Sequence, residues 1–404
     1  MSDASPERRE ATDFAQDLVQ CIRGVIGTEE AFVPLHVPEF HGRERELLLD
    51  CIDTGWVSSV GSYVDAFEAE VARLSGCKYG VVMANGTAAL QIALIVAGVR
   101  ACDEVLIPAL TFVATANATS HLGAVSHFVD SAHDTLGICP LRLRAHLEKV
   151  AEVRDGATWN RETGRRIAAV VPMHAFGCPV DMDVLNTVVA DWPMMVVEDA
   201  AESLGSRYKG RLCGSLGSVA AVSFNGNKIV TTGGGGAIVT NDAALAKRAK
   251  HLTTTAKMPH TWAFLHDEVG YNYRMPNLNA ALGVAQLEQL NTRLRQKQSL
   301  FDAYATAFRG LNGMQLFTAP EGSVSNNWLV TLVLDPTHAQ DRDHLLQVLN
   351  DAGIMSRPIW TLMHRLPMYA DSPRADLTQA EDLEARVLNI PSSAYLGARE
   401  GVAA

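Results

Sequence analysis

The sequence predicts an α/β fold: a mostly parallel sheet flanked by helices in a large domain, followed by a smaller α+β domain at the C-terminus. Three observations carry this. Apolar runs of strand length alternate with helical patterns up to about residue 250, which is the signature of parallel strands joined by helical crossovers. Phe112, Asp199 and Ser223 fall at the carboxyl ends of such runs, where sheets of this kind place their ligands. After about residue 290 the order changes to helix, strand, helix and a loop-rich end. The expected division is an N-terminal helical arm over 1–31, a large domain over 32–275 and a small domain over 276–404.

The chain has 404 residues, 48% of them hydrophobic, enough to bury a large core. Its net charge of -11 opposes nucleic acid or an anionic membrane as partner, since both select clustered positive charge. The seven cysteines, at 21, 51, 77, 102, 139, 178 and 213, form no CxxC pair. Their odd number and wide spacing argue against a disulfide framework or a zinc site. No metal is expected, and the thiols read as reduced and cytosolic. No apolar run has a membrane span's length, and MSDASPERREATDF lacks the apolar centre of a signal peptide. The expected location is the cytoplasm.

In order, Phe14, Leu18, Ile22 and Ile26 recur every fourth residue, which predicts an amphipathic helix packed on its own chain or on a twin. Gly42 to Asp53 is helical, and TGWVSSVGSYVDAFEAEVARLSG reads as a loop holding Trp56 and Ser58 and then a second helix. Trp56 either faces a ligand or staples the loop to the core. In YGVVMANGTAALQIALIVAG a strand turns into a helix at Asn85, Gly86 and Thr87. The free amides and positive dipole there suit a phosphate, although Asn85 or Thr87 also suits a plain N-cap. Phe112 stands at the next strand-to-helix junction, placed either to stack on a planar ring or to pack in the core.

Residues 141–166 read as one helical stretch followed by charged, irregular chain. His174 ends a buried run and is read as structural rather than catalytic. The segment from His251 to Pro276 reads as a long loop, functional or interfacial by its length, before a helix that Asn277 or Asn279 could cap. WLVTLVLD is a strand, RDHLLQVLNDAG a helix, and IMSRPIWTLMHRLPMY brings Arg357, Trp360 and His364, assigned to a substrate channel.

The chemistry concentrates between Val196 and Gly236. Two apolar runs there end in Asp199 and Ser223, and Lys228 follows beside Gly233 to Gly236. Pyridoxal phosphate requires a lysine that holds it as a Schiff base and a carboxylate that keeps its ring nitrogen protonated, roles that Lys228 and Asp199 fit.

EDAAESLGS, SFNGNK and TTGGGG, in this order, resemble the DegT/StrS family of nucleotide-sugar aminotransferases, over about Phe32 to Ser393. Asn225, where many members carry histidine, and PIWTLMHRLPMY resemble the branch that makes 4-amino-4,6-dideoxy sugars for legionaminic acid and bacillosamine. The resemblance implies the fold type I aminotransferase architecture and pyridoxal 5'-phosphate as cofactor. It implies that Gly86, Thr87 and Ser223 hold the phosphate, that Phe112 stacks on the ring, and that Glu202 and Asn225 line the cofactor. Trp56 and Ser58 would face the substrate. Asn272, with Arg274, would sit at a homodimer contact and reach the phosphate in the partner's site.

The implied reaction moves an amino group from glutamate to C4 of a nucleotide-linked 4-keto-6-deoxy hexose, N-acetylated or not. Two alternatives remain at this point. One is a sugar dehydratase that uses pyridoxamine phosphate, which in the family replaces the lysine with histidine; Lys228 opposes it. The other is a non-catalytic, cofactor-binding regulator. Neither GxxxxGK[ST] nor GxGxxG occurs, which opposes nucleotide hydrolases and dehydrogenases.

Overall fold

The computed structural model describes residues 6–27 and 30–398. Helices α1 (Pro6–Ile26), α2 (Glu44–Asp53) and α3 (Ser62–Leu74) precede β1 (Tyr79–Met83) and α4 (Gly86–Val96). Next come β2 (Glu104–Pro108), α5 (Val113–Ser120), β3 (Val125–Val129), α6 (Pro140–Val150), β4 (Ala151–Arg154), β5 (Ala157–Asn160) and β6 (Arg166–Val170). They are followed by α7 (Met182–Asp191), β7 (Met195–Asp199), β8 (Arg207–Tyr208), β9 (Arg211–Leu212), β10 (Val219–Ser223), β11 (Gly236–Thr240) and α8 (Ala243–Thr253). The remainder holds α9 (Asn277–Glu288), α10 (Leu290–Ala307), β12 (Met314–Leu316), β13 (Ser323–Val324), β14 (Val330–Leu334), α11 (Arg342–Asp351), β15 (Arg357–Pro358), α12 (Thr378–Arg386) and β16 (Val387–Ile390).

The large sheet runs β1-β11-β10-β7-β6-β2-β3, with the β4–β5 hairpin attached to β6. Neighbours from β10 to β3 pair in parallel, while β11 is antiparallel to both β1 and β10. Alternate residues of β10 and β11 enter different cores. Ala221 and Ile238 pack with α4, whereas Ala220, Val222, Ala237 and Val239 pack with α3 and α9. Helices cover both faces, which is why these strands read as continuous apolar runs without polar alternation.

The smaller sheet runs β12-β14-β16-β15. Phe14, Leu18, Ile22 and Ile26 of α1 are buried with Leu300 and Tyr304 of α10 and Leu345 and Leu349 of α11, so the arm packs on its own chain. The domain change differs from the one expected at 275/276. Ala280 and Leu287 of α9 are buried with Phe67 and Val222 of the large domain. Leu290 joins that same core, while Leu300 and Tyr304 join the smaller one, so the change falls inside α10.

Two irregular stretches have structure. Within 141–166 the hairpin turns at Asp155 and Gly156, whose φ values of 52° and 73° form the two-residue turn that Asp-Gly favours. The long segment before α9 folds back on itself as a tongue, with bridges Thr254↔Asn272 and Lys257↔His266. Ion pairs from Arg248 to Glu268 and from His251 to Asp267 tie it to α8. Among the described residues no helix is long and apolar enough to cross a membrane.

Candidate active site

Three strand ends and one helix start converge at the carboxyl edge of the large sheet. Asn85 caps α4, its Oδ1 accepting from Ala88 N at 2.8 Å. The amides of Gly86 and Thr87 have no acceptor within the helix and lie at its positive end. A Cβ on Gly86 would lie 2.8 Å from the Cβ of Ser223, the last residue of β10, and one on Gly236 would strike the Asn85 carbonyl. Glycine at these two positions is what lets β10, β11 and the start of α4 meet, and within the glycine tract close approach belongs to Gly235 and Gly236 rather than to Gly233 and Gly234. The Ser223 hydroxyl and the first-turn amides are donors of the kind that suits an anion, and the N-cap and phosphate readings of this turn are compatible.

Asp199 ends β7 in full burial. Its Oδ2 accepts from the Thr115 hydroxyl at 2.8 Å, its Oδ1 accepts from Ala201 N at 3.2 Å, and Thr115 Oγ1 in turn lies 3.0 Å from Thr111 Oγ1. Burial pushes the Asp199 carboxyl above its ordinary range, against these donors and the Lys228 charge, which favour the anion. A buried carboxylate so held matches a pyridinium N–H. Phe112, next to Thr111, is the N-cap of α5 and is half exposed at the mouth.

Lys228 Nζ lies 3.1 Å from Glu202 Oε1, with Glu202 Oε2 accepting from Phe176 N at 2.9 Å. Burial raises the Glu202 pKa, and the Lys228 charge acts against that rise. Nζ also stands 3.8 Å from the ring centroid of Trp328. Phe176 holds a left-handed backbone, φ 54°, that bulky residues rarely adopt. Its ring stacks on Trp360 at 4.7 Å and on Trp328 at 6.4 Å. Asn225 Nδ2 donates to Asn227 Oδ1 at 3.0 Å, within the turn that carries Lys228. His174 accepts from Val180 N at Nδ1, so its Nε2 carries the proton and donates to Glu198 Oε2 at 3.0 Å. Glu198 also accepts from the amides of Gly214, Leu216 and Gly217. That buried pair braces β7, in agreement with the structural reading of His174.

The other sequence candidates lie apart in the described contacts. Trp56 and Ser58 sit on the α2–α3 loop, their carbonyls accepting from Asn277 Nδ2 and N at 2.8 and 2.6 Å. Trp56 is 57% exposed, so it does not staple the loop to the core. Asn277 and Asn279 do not cap α9; Asn279 Nδ2 donates to Thr232 O at 2.7 Å. Arg357 donates to Ser356 O at 3.1 Å, and His364 lies 3.5 Å from Glu381. Asn272 is exposed on the tongue, its Oδ1 accepting from Arg274 at 2.9 Å. Thr115, Phe176 and Trp328 were not singled out by sequence. Each lies within an apolar or helical pattern that reads as packing.

Residues 38–401 match the model of the DegT/DnrJ/EryC1/StrS aminotransferase family. The chain is 34% identical over 361 residues to GDP-perosamine synthase of Escherichia coli O157:H7, covering 89% of this chain and 93% of that protein. It is 35% identical over 367 residues to GDP-perosamine synthase of Caulobacter vibrioides, covering 90% and 94%. A solved structure described as DesI in the presence of its TDP-sugar product superposes with a TM-score of 0.78 at 30% identity, covering 91% of this chain and 90% of that one.

Proposed function

The chain belongs to the DegT/DnrJ/EryC1/StrS aminotransferase family, a pyridoxal-phosphate-dependent transaminase of fold type I, and from that premise we propose its substrates and the work of its residues. It transfers an amino group from glutamate to C4 of a nucleotide-linked 4-keto-6-deoxy hexose, N-acetylated or not, in the cytoplasm. The product is a 4-amino-4,6-dideoxy sugar for a surface glycan or a nonulosonic acid, in the branch of legionaminic acid and bacillosamine. Relatives named for a GDP sugar and a neighbour holding a TDP-sugar product support a nucleotide-linked substrate. The observation that carries the reading is Lys228 Nζ at a strand-end turn, against buried Glu202 and within the field of buried Asp199.

Pyridoxal phosphate, when bound, supplies a carbonyl that exchanges with amines and an electron sink for the carbon–hydrogen bond that breaks. Lys228 Nζ would hold it covalently and, when free, would serve as the base that carries the proton at the substrate carbon. Asp199 keeps the ring nitrogen protonated, and Thr115 keeps Asp199 ionised and oriented. The amides of Gly86 and Thr87 and the Ser223 hydroxyl bind the phosphate. Phe112 covers the ring, while Glu202 and Asn225 line the cofactor beside Lys228. Trp360, Arg357, His364, Trp56 and Ser58 contribute to sugar and nucleotide binding.

A homodimer completes each site, with Asn272 of the second chain at the phosphate. The tongue that carries it exposes Trp262, Phe264 and Val269 at 81%, 79% and 85%, an apolar surface of the kind that a twofold contact buries on both copies. The test is the product mass from glutamate and a panel of nucleotide-linked 4-keto sugars. Exchange of the keto oxygen for nitrogen is expected, and loss of a hydroxyl in its place refutes the reading.

A further inference from the structure

Lys228 is held by two groups of different kinds. Glu202 Oε1 stands 3.1 Å from Nζ, and Nζ lies over the face of Trp328, 3.8 Å from the ring centroid. Trp328 is itself fixed at every polar atom. Its N donates to Asn326 Oδ1 at 2.9 Å, its indole Nε1 donates to Asn227 O at 2.8 Å, and its carbonyl accepts from Lys297 Nζ at 3.2 Å. Phe176 stacks on the same ring, with centroids 6.4 Å apart. The Asn227 contact reaches the residue just before Lys228, so one side chain sets both the backbone entry and the amine's resting place.

We propose that Trp328 is a positioning residue for the amino transfer, its indole face fixing where the Lys228 ammonium rests whenever Lys228 is not bonded to the cofactor. This rests on the reading of Lys228 as the bonding lysine. A released lysine has four rotatable bonds, and proton transfer requires Nζ to return to one place within a fraction of an ångström. An aromatic face out of bulk water attracts an ammonium most strongly and presents a flat, rigid surface. Together with the Glu202 carboxylate, that face selects one arrangement of the chain. The proton that Lys228 takes from the amino-bearing carbon of glutamate is the one it returns to C4', so no outside acid or base is consumed.

The inference predicts opposite effects on two measurable steps. In single turnovers of the holoenzyme with glutamate, W328L should slow conversion of the cofactor to its aminated form roughly ten- to thirty-fold, the worth of a desolvated cation–π contact. The isotope effect from glutamate deuterated at its amino-bearing carbon should rise, and the glutamate KM should hold. Covalent attachment of pyridoxal phosphate to the apoprotein should be at least as tight as in the wild type, because only the unbonded ammonium loses stabilisation. W328F, which keeps the ring face and drops the indole N–H, should recover most of the rate. Fluorinated tryptophan, incorporated biosynthetically, keeps shape and N–H but weakens the face, and should slow the step in proportion to fluorination, a result that stands even if W328L does not fold.

Wild-type proton transfer in W328L, W328F as slow as W328L, or insensitivity to fluorination would overturn the inference. So would a fall in cofactor attachment that matches the fall in rate. Borohydride reduction and peptide mapping of the wild type separate the two readings. A pyridoxyl group on another lysine removes the premise, whereas one on Lys228 with a normal W328L removes only the role of Trp328.

Discussion

Thr115→Val tests whether the electron sink depends on a residue that reaches the site through its hydrogen bond to Asp199. The hydroxyl donates to Asp199 Oδ2 at 2.8 Å, and both groups are buried. A hydrogen bond to a charged acceptor is worth about 1.5–3 kcal/mol, or roughly one to two pK units. Its loss adds to the burial that already raises the Asp199 pKa, so the proton shared with the ring nitrogen moves toward the carboxyl. We expect kcat to fall about ten- to a hundredfold, the same energy expressed as a rate, with glutamate KM little changed. The ring-nitrogen chemical shift of 15N-labelled cofactor should move toward the unprotonated value, and Thr115→Ser should restore both. The apoprotein adds a second check. A carboxyl whose folded pKa lies above its unfolded value of about 3.9 carries an extra proton in the folded state, so it costs stability as pH rises through that window. In urea unfolding the variant's deficit should therefore grow as pH rises through the folded pKa of Asp199, which lies above the unfolded value, while a pH-independent part belongs to the lost Thr111 contact. An unchanged nitrogen shift with unchanged kcat refutes the reasoning.

Borohydride reduction of the holoenzyme should leave the pyridoxyl group on the peptide that contains Lys228, and Lys228→Ala should lose the covalent bond; a modified peptide elsewhere defeats the assignment. Purified heterodimers of Lys228→Ala with Asn272→Asp should regain up to about half of wild-type activity, since a twofold dimer places both lesions in one site and neither in the other. Absence of recovery, with heterodimers formed and Asn272→Asp inactive alone, means that both residues serve one chain's site. Burial lowers the Lys297 pKa to about 7, so the folded chain binds fewer protons there than the unfolded chain, and stability rises with pH from about 7 to about 10.4. Wild type should therefore gain on Lys297→Met across that range by up to about 1.4 kcal/mol per pH unit; parallel stability curves would count against it.

What could be read in the sequence follows from where the chain is punctuated. Asp199, Ser223, Gly86 and Phe112 stand at strand ends or helix starts, positions that an apolar run followed by a break makes visible without any knowledge of neighbours. The hairpin at Asp155 and Gly156 carried an equally plain turn signal, but its four-residue strands mix apolar and polar residues without a long apolar run, so the charge of 141–166 hid it. Helix α9 was placed with the small domain, yet its buried stripe fills the core of the large one. A helix's partner is decided by which core its buried stripe fills, and sequence order does not record that.

Thr115 and Trp328 were hidden for a different reason. Thr115 lies 84 residues from Asp199, and the indole of Trp328 meets a carbonyl 101 residues away. Both read locally as ordinary packing, in a short helix and at the start of the apolar run WLVTLVLD. A residue that acts by touching a catalytic group across the sheet has no spacing of its own, since its meaning lies in the contact. The same physics makes such residues strong tests. Trp328 belongs to the C-terminal part of the chain and Lys228 to the large domain, so the cation–π contact forms only when the two parts are packed together. If that contact holds the ammonium, the small domain sets the position of the proton carrier as well as enclosing the substrate. A change that loosens its packing without touching the site, such as truncation of Leu300 in the α1–α10–α11 core, should then slow proton transfer before it weakens cofactor attachment.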